Sequence, residues 1–367
     1  MIRLRPDLAA LPAYKQGRIP DTTERVFKLS SNESPHGPLP SVVDAIAAAA
    51  AEVNRYPEAA ASALADAVAQ RHGLTPEHVV FGGGSVESVS QVIRAVAGPG
   101  DEVVYAWRSF EAYPLLVVGA GATPVPVPLT EDGRHDLSAL RAAITDRTRL
   151  VILCTPNNPT GPAIAPSELA DFVASIPDDV AVLIDEAYLH FQRGLDADPG
   201  VALLRRHPNV IVAHTFSKAH GLAGLRVGYA LADPQVAETL RKVAMPFAVT
   251  TLAQVAALAS LAAQDELDER VRGIVAERTK VTDALAADGW RLPDSQTNFV
   301  WFGLGEDTLA ANEVFARHGL IVRAFPGEGL RVTIAEPEAS EAILAAAAEL
   351  AASGLTNGLR AGERAQA

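Results

Sequence analysis

Five lysines stand in this 367-residue chain, at positions 15, 28, 218, 242 and 280, so chemistry that needs an amine nucleophile has few candidates. Lys218 has the most suggestive surroundings. It lies in HTFSKAHGLAGLR (214–226), behind the β-branched run NVIVAHT (209–215), flanked by Thr215 and Ser217 and followed by a glycine-bearing turn that ends at Arg226. An amine that traps a carbonyl must first lose its proton, which desolvation or nearby cations bring about. Hydroxyls and an arginine close by suit a phosphate ester. An exposed lysine at a helix start, behind a Thr/Ser cap, would read the same locally, so the motif needs companions.

Three segments supply them, each at the end of an expected strand, where open α/β sheets place their ligands. In VLIDEAYLHF (183–191), Asp185 and Glu186 follow an apolar run and Tyr188 comes next but one. A carboxylate there could keep a ring nitrogen protonated, making a heteroaromatic cofactor an electron sink. A metal-binding acidic strand end would look alike, but no G-x-x-x-x-G-K-[ST] loop accompanies it. CTPNNPTGPAI (154–164) has the composition of a turn. Its paired asparagines could also offer amide donors to a ring oxygen and a substrate carboxylate, with Asn158 the favoured residue. FGGGSVES (81–88) turns a strand into a helix whose N-terminus, capped by Ser85, could face a phosphate. It lacks the third glycine of a dinucleotide fingerprint.

Other reactive side chains fit a plainer reading. The nine histidines show no H-x-x-x-H or H-E-x-x-H spacing; His214 and His220 flank the lysine as packing neighbours, and no metal is expected. Cys154, the single cysteine, lies in the apolar run VILCTP as a buried thiol. Trp107, Phe110 and Tyr113 either line a pocket for an aromatic ring or pack in the core.

The elements that must position these residues are an α/β set. The runs at 78–81, 102–107, 123–127, 149–154, 180–184, 209–215 and 226–232 alternate with amphipathic stretches such as 85–97 and 167–176, which predicts a mostly parallel seven-stranded sheet sandwiched by helices. Residues 234–290 read as helices, with 236–286 able to bridge two domains. NFVWF (298–302), LIVRAF (320–325) and LRVTIA (330–335), with helices near 307–318 and 337–352, form a smaller α/β unit. The expected division is a large domain over 31–272, a small domain from 1–30 (an N-terminal arm) and 273–355, and a loose tail over 356–367. The net charge of −13 argues against nucleic-acid or anionic-membrane binding, and no run spans a bilayer or forms a signal sequence, so a cytoplasmic protein is expected.

With SNESPHGP (31–38), NRYP (54–57), GGGSVE, TPNNPTG, DEAY and TFSKAHGLAGLRVGY in this order, the chain resembles the histidinol-phosphate aminotransferase family of fold-type I pyridoxal 5′-phosphate (PLP) enzymes, from about residue 10 to 350. YAWRSFEAYP (105–114), SSNESPHGPLPS and KVAMPFAVTTLAQ look more like that family's aromatic amino acid (phenylalanine) branch. The resemblance implies that Lys218 holds PLP as a Schiff base and moves the substrate proton, that Asp185 pairs with the ring nitrogen, and that Asn158 and Tyr188 bond the ring oxygen. Ser85, the Val86 backbone, Ser217 and Arg226 would hold the phosphate, and Thr215 would also contact the cofactor. Tyr56 would reach the phosphate of a second subunit, implying a homodimer. Arg331 would clamp the substrate carboxylate.

Where the family often has a stacking tyrosine, Phe110 stands here, with Tyr113 nearby. Arg323 would bind a distal substrate anion or sit in a surface ion pair. The implied reaction is amino transfer between an aromatic L-amino acid and 2-oxoglutarate. Its alternatives are histidinol-phosphate transamination, decarboxylation on the same fold, and a PLP-binding regulator, the last disfavoured because the pattern begins near residue 10 and leaves no room for a DNA-reading segment.

Overall fold

The computed structural model describes residues 2–13, 26–195 and 197–360. All seven expected runs are strands of one sheet. Its order is Val79–Gly82, Gly228–Leu231, Val210–Thr215, Ala181–Asp185, Thr148–Cys154, Glu102–Trp107, Thr123–Pro128. Gly228–Leu231 runs antiparallel to both neighbours, and the pairs beyond it are parallel. The edge strand Thr123–Pro128 carries prolines at 124, 126 and 128. At period two their missing N–H groups all fall on one side of the strand, which only an edge position tolerates.

The central strands are apolar on both faces because each face is covered. On one face the helix Ser85–Val96 sets Val89, Val92 and Ile93 against Val80, Ile152 and Ile211. On the other, the helices Pro40–Ala49, Ser62–His72 and Thr251–Ala262 bury Val42, Val68 and Ala256 against Val104, Val151, Val182 and Val212. Full burial of each such Val or Ile contributes about 2 kcal/mol.

A separate core holds Phe302, Phe315, Val332, Ile343 and Leu350 together. It lies between a three-stranded antiparallel sheet, ordered Arg323–Phe325, Gly329–Thr333, Phe299–Phe302, and the helices Thr308–Arg317 and Pro337–Ala352. LIVRAF, expected as one strand, is two: Leu320–Ile321 pairs in parallel with Phe27–Lys28, and Arg323–Phe325 pairs with Gly329–Thr333. The 24-residue helix Gln264–Ala287 joins the two cores, burying Leu267 in the first and Val281 and Leu285 in the second.

The terminal regions differ from expectation. Residues 356–360, expected to be loose, are packed. Thr356 is buried, Asn357 donates to the Gly303 carbonyl, Arg291 donates its N–H to the Leu359 carbonyl, and Arg360 bridges to Trp290. Their backbone groups pair with the small core's loops, and the polar composition of the segment gave no sign of it. Residues 361–367 lie outside the described residues, as do 14–25 of the expected N-terminal arm. The rest of that arm docks through Arg5, which donates to the carbonyls of Val118 and Gly119. No helix among the described residues is long and apolar enough to cross a membrane.

Arg278, on the bridging helix, is fully buried and donates to the carbonyls of Phe191 and Thr297. Arg278→Ala strands both acceptors and opens a void, so thermal unfolding should start several degrees lower, a loss on the order of 3 kcal/mol. An unchanged midpoint would show that this link contributes nothing.

Candidate active site

The strands Thr148–Cys154, Ala181–Asp185 and Val210–Thr215 end side by side, with Cys154 opposite Asp185 and Asp185 opposite Ala213. Their carboxyl ends open into a cavity of about 270 Å³. Of the thirteen residues to which the family resemblance gives a place at the site, twelve line it: Ser85, Val86, Phe110, Asn158, Asp185, Tyr188, Thr215, Ser217, Lys218, Arg226, Arg323 and Arg331. The thirteenth, Tyr56, is 82% exposed and stacks on Phe247 at 4.7 Å, away from this cavity.

Lys218 follows the strand Val210–Thr215 at the turn that ends it, and its Nζ donates to the Ser31 carbonyl at 2.9 Å. Burial, reinforced by the charges of Arg331 and Arg226, pushes its amine down to about 7. Glu33 pulls the other way, but Lys28 already engages that carboxylate at 2.6 Å. A substantial neutral fraction near neutral pH is what an amine nucleophile requires.

Asp185 ends its strand buried in the cavity wall. Burial pushes its carboxyl up, and two donors oppose that: the Tyr113 hydroxyl at 2.7 Å and the Ala187 N–H at 3.3 Å. A cationic ring N–H placed here would meet a carboxylate already oriented for it. Tyr113, weighed as a ring-stacking candidate, is therefore a positioning residue beneath the cavity; Phe110 is the one with a face on it. The two rings meet edge to face at 5.6 Å.

The asparagine pair divides its work. Asn157 is saturated, accepting from Ser109 and donating to the Arg108 carbonyl and Thr160, so it fixes the turn. Asn158 accepts from Arg331 at 2.6 Å, which turns its amide N–H₂ away from the guanidinium. Arg331 also donates to the Ser30 carbonyl at 2.7 Å. Tyr188 is held by Asn32, whose amide donates to its hydroxyl at 2.9 Å.

The far end of the cavity is built for an anion. The 12-residue helix Ser85–Val96 presents its N-terminus there, with Thr215, Ser217 and Arg226 around it. Arg226 adopts a left-handed backbone (φ 53°), curling its guanidinium back to Ser217 Oγ at 3.3 Å and the Gly83 carbonyl at 3.2 Å. Gly84 is required: its φ is +90°, and a Cβ would overlap that guanidinium. At the opposite rim Arg323 lies in a forked ion pair with Glu111 at 2.9 Å, both residues facing the cavity. It is thus neither a surface arginine nor an unengaged one.

Sequence reasoning missed Ser31, Asn32, Glu33 and Glu111, which also line the cavity, and the role of Tyr113. Ser31, Asn32 and Glu33 carried a signal in principle, since they open the SNESPHGP motif that carries the resemblance. The others come into place only through long-range packing.

The family model for class I and II aminotransferases matches residues 24–348. An aromatic amino acid aminotransferase of Thermobifida fusca is 54% identical over 345 residues, covering 94% of this chain and 96% of that one. The enzyme of the same name from Cutibacterium acnes is 52% identical over 330 residues, covering 90% and 93%. Among solved structures, histidinol-phosphate aminotransferase from Sinorhizobium meliloti in complex with pyridoxal 5′-phosphate is 31% identical with a TM-score of 0.86, covering 96% of this chain and 98% of that one.

The lowered amine makes a direct expectation. Amine-directed labelling of Lys218, followed by peptide mass spectrometry, should speed up about tenfold per pH unit while the ammonium form dominates and level off above about 7. A rate that kept climbing well beyond that pH would show an ordinary, solvated lysine.

Proposed function

Because the chain belongs to the class I and II aminotransferases, PLP-dependent enzymes of fold type I, we propose that it moves the amino group of an aromatic L-amino acid to 2-oxoglutarate. The carrying observation is the joint placement of a desolvated Lys218 between a ring-end carboxylate, Asp185, and an anion cradle at Ser85, Ser217 and Arg226. These ends fit PLP, whose ring nitrogen is basic and whose ester is dianionic, and the overlap of Arg226 with any side chain at 84 supports a cradle shaped for close approach. Relatives named for aromatic substrates support the donor class.

When bound, PLP supplies an aldehyde that accepts the amino group and a protonated ring that stabilises the electron pair released at the substrate's α-carbon. The chain's residues do the rest. Lys218 would hold the cofactor through its amine and, as a neutral amine, would take the substrate's α-proton on Nζ and return it. Asp185 would keep the ring nitrogen charged. The Asn158 amide and the Tyr188 hydroxyl would bond the ring oxygen, and Phe110 would offer a ring face. Ser85, the Val86 N–H, Ser217 and Arg226 would hold the ester, with Thr215 beside them. Arg331, already oriented by Asn158, takes the substrate carboxylate in a two-pronged bond.

Arg323 receives the distal carboxylate of 2-oxoglutarate at the rim. Tyr56, exposed at the surface, completes the phosphate site of a second subunit in a homodimer. The separate cores support a large domain over 31–272 and a small one from 1–30 and 273–355. The buried thiol of Cys154 suits a cytoplasmic setting.

A panel of donors with 2-oxoglutarate tests the substrate class. L-Phenylalanine, L-tyrosine or L-tryptophan should turn over, whereas a preference for histidinol phosphate, or release of carbon dioxide, would overturn it. Borohydride should fix a pyridoxyl group on the Lys218 peptide, and Lys218→Ala should abolish transfer from every donor. Arg331→Ala should raise KM for donor and acceptor about a hundredfold, roughly 3 kcal/mol, and unchanged kinetics would remove its carboxylate role.

A further inference from the structure

Behind the strand ends, on the side away from the cavity, four side chains from distant parts of the chain converge. We propose that His72, Asp198 and His214, with Glu186 beside His214, bind a divalent transition-metal ion of the zinc class. His214 Nε2 lies 3.3 Å from Asp198 Oδ2 and 3.4 Å from Glu186 Oε2, and His72 Nδ1 lies 3.7 Å from the same Asp198 oxygen. Zinc bonds of about 2.1 Å at tetrahedral angles put neighbouring ligand atoms about 3.4 Å apart. The His72, Asp198 and His214 ligand atoms all fall within 4.8 Å of one another.

The hydrogen bonding favours an ion over a proton network. Glu186 and His214 are 1% and 2% exposed, yet Glu186 Oε2, Asp198 Oδ2 and His214 Nε2 make no hydrogen bond in the structure. An imidazolium N–H bridging the carboxylates would be aligned with at least one of them. Three of the atoms pointing outward from the set are engaged. Gly200 N–H donates to Glu186 Oε1, Val201 N–H donates to Asp198 Oδ1, and the Tyr229 hydroxyl bonds His72 Nε2 at 2.9 Å, which leaves Nδ1 as the inward nitrogen. Outer partners that fix tautomer and carboxylate orientation are how metal ligands are held. His72 and Asp198 keep some surface, which gives an entry route.

The ion's place in the fold defines its role. Glu186 follows Asp185 and His214 precedes Thr215, so one ion ties together the two strand ends that carry the ring-end carboxylate and the lysine turn. His72 adds the end of the helix Ser62–His72, and Asp198 adds the start of Pro199–Leu204.

Elemental analysis of cofactor-loaded enzyme, purified without chelator, should find one zinc-class ion per chain. Chelator should lower the thermal midpoint, and added zinc should restore it. Cobalt added to chelator-treated enzyme should give tetrahedral visible bands to the red of the cofactor's absorption. His72→Gln and Asp198→Asn should each lose the ion or weaken its binding at least tenfold. No ion together with no shift of the midpoint on adding zinc or cobalt would overturn the proposal, and so would an ion retained at full affinity by both variants. If neither variant folds, the titration of the wild-type enzyme decides alone.

Discussion

An ammonium group carried into the cavity at Lys218 loses its hydration, and no carboxylate there replaces it, since Glu33 is already held by Lys28 and the nearby charges of Arg331 and Arg226 repel. The structure sheds that cost by releasing the proton. Every other feature of the site is arranged around this. The acceptor for Nζ is the Ser31 carbonyl, a neutral partner that holds the amine without recharging it. The compensating negative charge is placed elsewhere, on Asp185 at one end and on any phosphate bound by the cradle at the other.

Such an arrangement needs several chain segments held within a fraction of an ångström, and the sheet provides it. Strands buried on both faces cannot slip in register without breaking the close packing of the side chains above and below them. The offsets between Cys154, Asp185 and Thr215 are therefore fixed by Val and Ile packing well below the cavity. The small core adds Arg331 from the middle of its own sheet, bonded back to Asn158 and Ser30. The proposed substrate-carboxylate site is thus shared between the two cores, which the helix Gln264–Ala287 joins.

Much of this was legible in the sequence because the informative residues sit in short strand-to-turn segments, where local composition and function coincide. Lys218, Asp185, Asn158, Ser85 and Arg226 all fall within a few residues of a strand end, and all share one cavity. What escaped depends on contacts across the chain. Tyr113 looked like a second stacking ring, and only the long-range hydrogen bond from its hydroxyl reveals a donor to the buried carboxylate of Asp185. The 356–360 segment looked loose because its polar side chains say nothing of backbone pairing with Arg291 and Gly303. Histidine spacing pointed to no cluster, since His72 and His214 meet through sheet and helix packing, not through a local motif.

The rim pair of Glu111 and Arg323 shows how a cavity can be cationic without being overcharged. Arg331, Arg226 and Arg323 all face it alongside Lys218. The carboxylates of Asp185, Glu33 and Glu111 face it with them. Glu111 offsets one of the positive charges in a half-buried ion pair with Arg323. In the proposed reaction a dicarboxylate arriving at Arg323 would exchange one carboxylate for another. An aromatic side chain would leave the pair closed and meet an arginine already neutralised, so one rim would serve substrates of opposite polarity.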